Sequence, residues 1–346
     1  YSDYGNPFDY KYSSRYKVSD AFTLRGSISS GFRAPTLHQI YTQKAQYSFI
    51  PGQGIQVGGL INNVSTSAKL LGIDPLDAET SQNFTVGFGG KANKFSYTFD
   101  YYNIAVKDRI VLGTEIGASG DATNPLDVLL AANNLSDISF FSNAIDTKTS
   151  GIDVVLGYRG IELGNGSLDL NLSGNYTIQN ERDGAVKDID IVANAGQSVF
   201  NDTQDALLFS SRPITKWILG GNYDINKFGF SLNNTLFGKT TFQQQGLDSN
   251  IFTEFTPKVV TDLGINYSAT EKLTIALNLN NILNVLPEWS FKSKNAAGDA
   301  LLADPAQTQN QSNLITFNQR YSQMTYDGYH FSQLGAMFNL SLNYKF

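Results

Sequence analysis

The last stretch of the chain, Phe331 to Phe346, alternates apolar and polar residues with a period of two. From Leu334 the even positions are Leu334, Ala336, Phe338, Leu340, Leu342, Tyr344 and Phe346. The odd positions are Gly335, Met337, Asn339, Ser341, Asn343 and Lys345. Successive side chains of a β-strand point to opposite faces, so this pattern specifies a strand with one oily flank and one wet flank. The same pattern recurs about ten more times upstream: Tyr10–Lys17, Phe22–Ser29, Asn83–Phe88, Phe95–Tyr101 (running on to Leu112), Ile152–Arg159, Leu168–Gln179, Lys216–Tyr223, Phe228–Leu232, Asp262–Tyr267 and Leu273–Leu279. The oily stretches approach the ~9–11 residues that a tilted strand needs to cross a bilayer.

Connections between these strands alternate between short, of about four to seven residues, and long. The long ones cover about 31–79, 113–137, 180–212, 239–258 and 281–330. Outer-membrane barrels sort their loops in this way, with tight turns at one rim and large loops at the other. Aromatics flank the short turns on the oily face: Tyr16 and Phe22, Phe88 and Phe95, Tyr223 and Phe228, with Tyr158, Tyr267, Tyr344 and Phe346 at the same level. That describes an interfacial girdle. The charged residues Lys11, Arg15, Lys17, Arg25, Asp100, Asp153, Arg159, Asp169, Lys216, Asp262 and Lys345 all fall opposite the oily face. A soluble β-sandwich also alternates, but its loops need not sort by rim. No repeat of fixed length appears, which argues against propellers and solenoids.

Composition agrees. Charged residues make up 16% of the 346 residues, against roughly 25% in soluble domains. With no cysteine, thiolate metal sites, disulfides and cysteine nucleophiles are excluded. The net charge of -6 gives no basic footprint for nucleic acid. No run of ~18 apolar residues offers a transmembrane helix. The fold expected is all-β, a transmembrane antiparallel barrel wall of about eleven strands. Single-chain bacterial barrels have an even strand number, and an open sheet in lipid would strand its edge groups. The set therefore reads as the C-terminal half of a larger barrel whose partner strands are not in this chain.

The stretch GFRAPTLHQIY, Gly31 to Tyr41, lies where a strand passes into a long loop. It resembles the FRAP box of TonB-dependent outer-membrane receptors through Phe32, Arg33, Ala34 and Pro35, with Leu37 and Tyr41 in its continuation. Asp77 to Phe88 resembles the family's "PE-S-NYE-G" strand, with Ala78 where proline is usual. Lys107 to Leu112 is similar to its DRI stretch, and Asn278 to Val285 to its NLFN segment. Phe346 matches the terminal aromatic that such barrels present to the assembly machinery. The resemblance implies a 22-stranded barrel with an N-terminal plug domain, located in the outer membrane of a Gram-negative bacterium. It implies import of a scarce small ligand with energy passed through TonB, a siderophore-type cargo being favoured. The implied partners are outer-membrane lipid, the plug, the first half of the barrel, the TonB complex and a surface lipoprotein.

No catalytic constellation stands out, and no cofactor or metal is expected. His38, Tyr41, Tyr47, Trp289 and His330 are the candidate ligand-contacting loop residues, the two histidines lying far apart in sequence. His38 is a haem or metal candidate by type, but the NPNL box of the family's haem receptors is missing after it. Tyr41, Tyr47, Phe140, Phe141 and Trp289 are aromatic candidates for ligand stacking or for packing loops on the rim. Arg33 is expected to pair with a carboxylate at the rim, with Pro35 ending its strand. Lys11, Arg15, Lys17 and Arg25 line one sector of the lumen and are expected to face the plug. The competing readings are a passive or structural barrel, an oligosaccharide or peptide importer of the same family, and a secreted β-rich binding protein.

Overall fold

The computed structural model describes residues 8–50, 54–316 and 330–346. Eleven strands form one sheet in strict chain order, each antiparallel to the next. They are β1 Lys11–Lys17, β2 Thr23–Arg33, β3 Glu79–Ala92, β4 Phe95–Leu112, β5 Phe141–Leu163 and β6 Gly166–Arg182. β7 Thr215–Ile225, β8 Phe228–Phe237, β9 Lys258–Ser268, β10 Leu273–Asn280 and β11 Met337–Tyr344 complete it. All eleven expected strands are present. The last begins at Met337, so Leu334 and Ala336 precede it, with Gly335 in the left-handed region at φ 71°.

Register puts the oily residues in unbroken rows. One row runs Phe88, Phe99, Val154, Gly174 and Trp217 across β3 to β7. Another runs Phe230, Ile265, Leu277 and Leu340 across β8 to β11. These side chains stay exposed: Leu219 is 54% and Phe338 79% accessible. The oily flank therefore does not point into a compact protein interior. Its inner rim carries the aromatic girdle, where Phe228 stacks on Tyr267 at 4.7 Å and Tyr344 meets Phe346 at 5.3 Å.

The opposite face carries the charges, in a row of register partners Arg15, Arg25, Gly87, Asp100, Asp153, Asn175 and Lys216. Gly87 has a specific use there. Asp100 leans across it to accept the Arg25 Nε–H at 2.7 Å, and a Cβ on Gly87 would collide with that carboxylate. On the oily face Trp217 lies over Gly174 in the same way. A glycine in mid-strand weakens a sheet unless something packs over it, and here a neighbour's long side chain covers it.

The short turns are tighter than expected, because strands run nearly to their tips. Two-residue turns begin at Asn93 and Asn226 with φ of 52°, a left-handed conformation that Asn tolerates. The middle strands also overshoot the membrane, β5 reaching 23 residues. Beyond the Tyr101–Ile152–Tyr176 row the oily register turns charged, with Lys107, Lys148 and Glu181. The hydrocarbon band ends at that level.

Five long loops leave the other rim: L1 34–78, L2 113–140, L3 183–214, L4 238–257 and L5 281–336. The stretch 317–329 of the fifth expected connection lies outside the described residues. The loops are folded rather than open. In L1 and L2, Lys44–Ile50, Gly54–Leu60, Asp137–Ser139 and Ile116–Gly117 form a four-stranded sheet. Across L4 and L5, Thr240–Phe242, Ile251–Phe255 and Trp289–Ser293 form a three-stranded one. The buried apolar core sits here. Ile61 of L1, Ile116, Leu126 and Phe140 of L2 and Val192 and Val199 of L3 share one cluster, in which Phe140 is 0% accessible. Leu247, Ile251, Phe255 and Ile315 form a second under L4 and L5.

The chain has two tryptophans, one on the oily face of β7 and one in the L4–L5 sheet. In the membrane-reconstituted protein, brominated acyl chains are expected to quench Trp217 and to leave Trp289 unaffected, read on the single-tryptophan variants Trp289→Phe and Trp217→Phe. Quenching of Trp289 with Trp217 silent would reverse the assignment of faces.

Candidate functional site

The loop layer at the outer rim is the candidate ligand-handling region, and its anchoring starts at the FRAP segment. Arg33 ends β2 opposite Glu79, the first residue of β3. Its Nε donates to Glu79 Oε2 at 2.8 Å, its Nη2 reaches Oε1, and its Nη1 donates to Gln39 at 3.3 Å. Glu79, only 8% accessible, also accepts the Ile110 backbone N–H of β4 at 2.7 Å. Gln39 closes a capping box with Thr36 on the helix Leu37–Tyr41. One carboxylate therefore ties β2, β3, β4 and the first turn of L1. Ala34 is half-buried and Pro35 buried just past the strand end.

The five candidate ligand residues do not form one site. His38, Tyr41 and Tyr47 stand exposed on L1. His38 Nδ1 bonds the Thr42 hydroxyl at 2.7 Å, and its ring meets Phe141 edge-on at 6.4 Å. Trp289 and His330 belong to the separate L4–L5 unit. Trp289 packs against the second core and meets Phe291 at 5.3 Å. His330 is 8% accessible, wedged among Phe237, Phe255 and Phe331, with Nε2 hydrogen-bonded to the Thr256 carbonyl at 2.9 Å. Burial and the nearby Lys258 charge push its pKa down, against the bond to Thr256. Among the described residues neither histidine hydrogen-bonds a carboxylate.

Cavities open between the loops, two of them bordered by L1, L2 and L3. The larger, about 730 Å³, lies among L1, L2, the start of β5 and L3, with Asp74, Asp77, Asp188 and Asp190 in its lining. Its one lining cation, Lys187, places Nζ 2.6 Å from both Asp108 and Asp146. Burial opposes the Lys187 charge, but these two carboxylates outweigh it and its pKa is raised. The second cavity, about 350 Å³, is lined by hydroxyl and amide side chains including Gln46, Thr114, Asn201, Thr203, Gln204 and Gln245, together with the charged Lys44, Glu115 and Asp137. Both volumes fall within the ~300–1,000 Å³ range of small-molecule sites. Sequence reading passed over these polar residues, because each loop contributes only a few and none forms a motif.

On the lumenal wall near the short turns, Arg15, Lys17 and Arg25 border a concavity of about 560 Å³. Arg25 is held by Asp100 and Lys17 by Asp20 at 2.5 Å. Arg15 and Lys11 have no ion-pair partner among the described residues. Phe346 is fully accessible beyond the end of β11.

An eleven-strand meander, oily outside, charged inside and capped by folded loops at one rim, defines the wall of an outer-membrane β-barrel. A family model described as "TonB dependent receptor-like, beta-barrel" matches residues 1–282, and the chain belongs to that family. Members of the family are transporters of the Gram-negative outer membrane. No curated protein matches the chain. Among solved structures, the siderophore receptor PirA from Acinetobacter baumannii is similar at TM-score 0.54 and 15% identity, over 82% of this chain and 38% of that one. A mutant of the ferric enterobactin receptor PfeA from Pseudomonas aeruginosa, in complex with enterobactin, is similar at TM-score 0.56 and 17% identity, over 82% and 36%. The copper transporter OprC is similar at TM-score 0.51 and 13% identity, over 96% and 38%. The chain thus spans little more than a third of these proteins, and the likeness is one of fold.

Glu79→Ala leaves the buried Ile110 N–H without its acceptor, a loss of about 1–3 kcal/mol. Hydrogen exchange at Ile110 is expected to quicken about tenfold or more, with Glu79→Gln in between. His330 supplies one pH-dependent term in L4–L5. Its folded pKa lies below the ordinary value, so the unfolded state binds the proton more tightly. The stability it lends is present above ~6.5 and falls as the pH drops through that range. Exchange protection of 251–255 is expected to weaken on acidification in the parent protein and to lose that dependence in His330→Phe.

Proposed function

We propose that this chain is the wall and loop cap of an active-transport receptor, which captures a scarce nutrient at its external loops and imports it with TonB-transmitted energy. The observation that carries this reading is the folded cap. Its loops enclose cavities of ligand size over a wall whose inner face is charged. A ferric siderophore-like chelate is the favoured cargo, in line with the siderophore receptors among the fold neighbours. The loop tyrosines and His38 are the proposed outer contacts, while Trp289 and His330 act through the packing of L4 and L5. Arg15 and Lys11 are the proposed lumenal contacts for a plug domain, since a cation facing the lumen favours an opposite charge there. A surface lipoprotein remains a proposed partner. The second cavity favours one other cargo, because its amide and hydroxyl lining suits an oligosaccharide.

Binding of ferric hydroxamates, ferric catecholates, haem and oligosaccharides to the full receptor in detergent tests the cargo, and uptake in cells with and without TonB tests the coupling. The expected result is saturable binding of a ferric chelate, with uptake abolished when TonB is removed. Binding of oligosaccharide alone would replace the cargo. Uptake that survives loss of TonB would make the barrel a passive one.

A further inference from the structure

A cavity of about 300 Å³ lies where L3, L4 and L5 meet, apart from those already described. Asp202 and Asp205 line it from the helix Asp202–Asp205 of L3. Gln243 lines it from L4 and Lys294 from L5. Phe242, itself buried, and Phe252 complete its walls.

The hydrogen bonding of this cavity is incomplete on one side only. Gln243 is 6% accessible. Its Nε2 donates to the Asp248 carbonyl at 3.3 Å, which fixes the other amide atom as the oxygen. That oxygen, Oε1, is buried with no donor. The Asp205 carboxylate also receives no hydrogen bond among the described residues. Burial raises its pKa, Asp202 adds to this, and Arg182 and Lys294 pull the other way. By contrast Asp202 is satisfied, because Lys294 Nζ stands 2.8 Å from its Oδ2. Ser210 is satisfied too, donating to the Thr241 carbonyl at 2.8 Å. One buried acceptor without a donor, Gln243 Oε1, and one half-exposed carboxylate to which no described protein group donates, Asp205, therefore line one small cavity with aromatic walls. A buried polar group without a partner is destabilising, and such groups are rare in native proteins.

We propose that this cavity binds a primary alkylammonium group, which donates to Asp205 and to Gln243 Oε1 and lies against Phe242 and Phe252. The chemistry follows from the lining. The vacant positions accept hydrogen bonds and do not donate them. A carboxylate beside aromatic faces favours a cation. The Lys294–Asp202 pair already shows an ammonium held against one carboxylate of this cavity. An occupant would join three loops that otherwise meet here through the Lys294–Asp202 and Ser210–Thr241 contacts. The site stands apart from the transported cargo and does not depend on its identity.

Calorimetric titration of the full receptor in detergent with propylammonium, and with propanol and propionate as size-matched controls, tests the proposal. Saturable binding of propylammonium alone is expected. Asp205→Asn should weaken it about tenfold or more, and Gln243→Leu by a smaller factor. Propylammonium should also slow hydrogen exchange in 202–210 and 240–243, which reports the site even if a variant assembles poorly. No binding, equal binding of propanol, or full affinity in Asp205→Asn would overturn it and leave a cavity filled by water.

Discussion

Hydrocarbon offers no hydrogen bonds, so every backbone N–H and C=O of a spanning segment must find its partner in the protein. The meander from β1 to β11 follows from that requirement. Each strand pairs with its sequence neighbour, which keeps turns short at one rim and sends all length variation to the other. The same requirement fixes register. A slip of one residue would exchange the two faces of a strand and carry Arg15, Arg25 or Lys216 into lipid, where a mid-membrane Lys or Arg costs ~2–4 kcal/mol. Packing on the oily side is left to lipid, so the residues there need only be apolar. On the charged side, partners are specified one by one, as in the Arg25–Asp100 bridge across Gly87.

The molecule therefore inverts the usual arrangement of a soluble domain. Its regular sheet exposes its apolar side chains, and its buried core lies in what connects the strands. Strand and loop are joined at many points. Glu79 is one, binding the ends of β2 and β3 to β4 and, through Arg33 and Gln39, to the first helix of L1. His330 is another, fastening the return of L5 against Phe237 on β8 and Phe255 in L4.

The strands were legible in the sequence because a period of two survives without knowledge of the partners. Strand ends were less so. The run of β4 to Leu112 was foreseen, but β5 begins at Phe141, well before the expected Ile152, and the bulge at Asp108, with φ of 54°, is signalled by nothing in the local alternation. The rim role of Arg33 could be foreseen from the FRAP segment, but Glu79 is 46 residues away and its second bond, to Ile110, is not written in any motif. Whether Trp289 and His330 are packed or open to a ligand could not be told from the sequence, because a loop with no periodicity gives no sign of what it packs against. Their burial arises from L4 and L5 together. The cavity-lining aspartates and glutamines escaped for the same reason.

The shared core of L1, L2 and L3 has a consequence for biogenesis. Ile61, Leu126 and Val199 come from three separate connections, and none of these can bury its apolar residues alone. The outer layer must therefore mature last, after neighbouring strands have zipped up and delivered their connections to one place. A wall assembled out of order would leave Ile61, Leu126 and Val199 open to solvent.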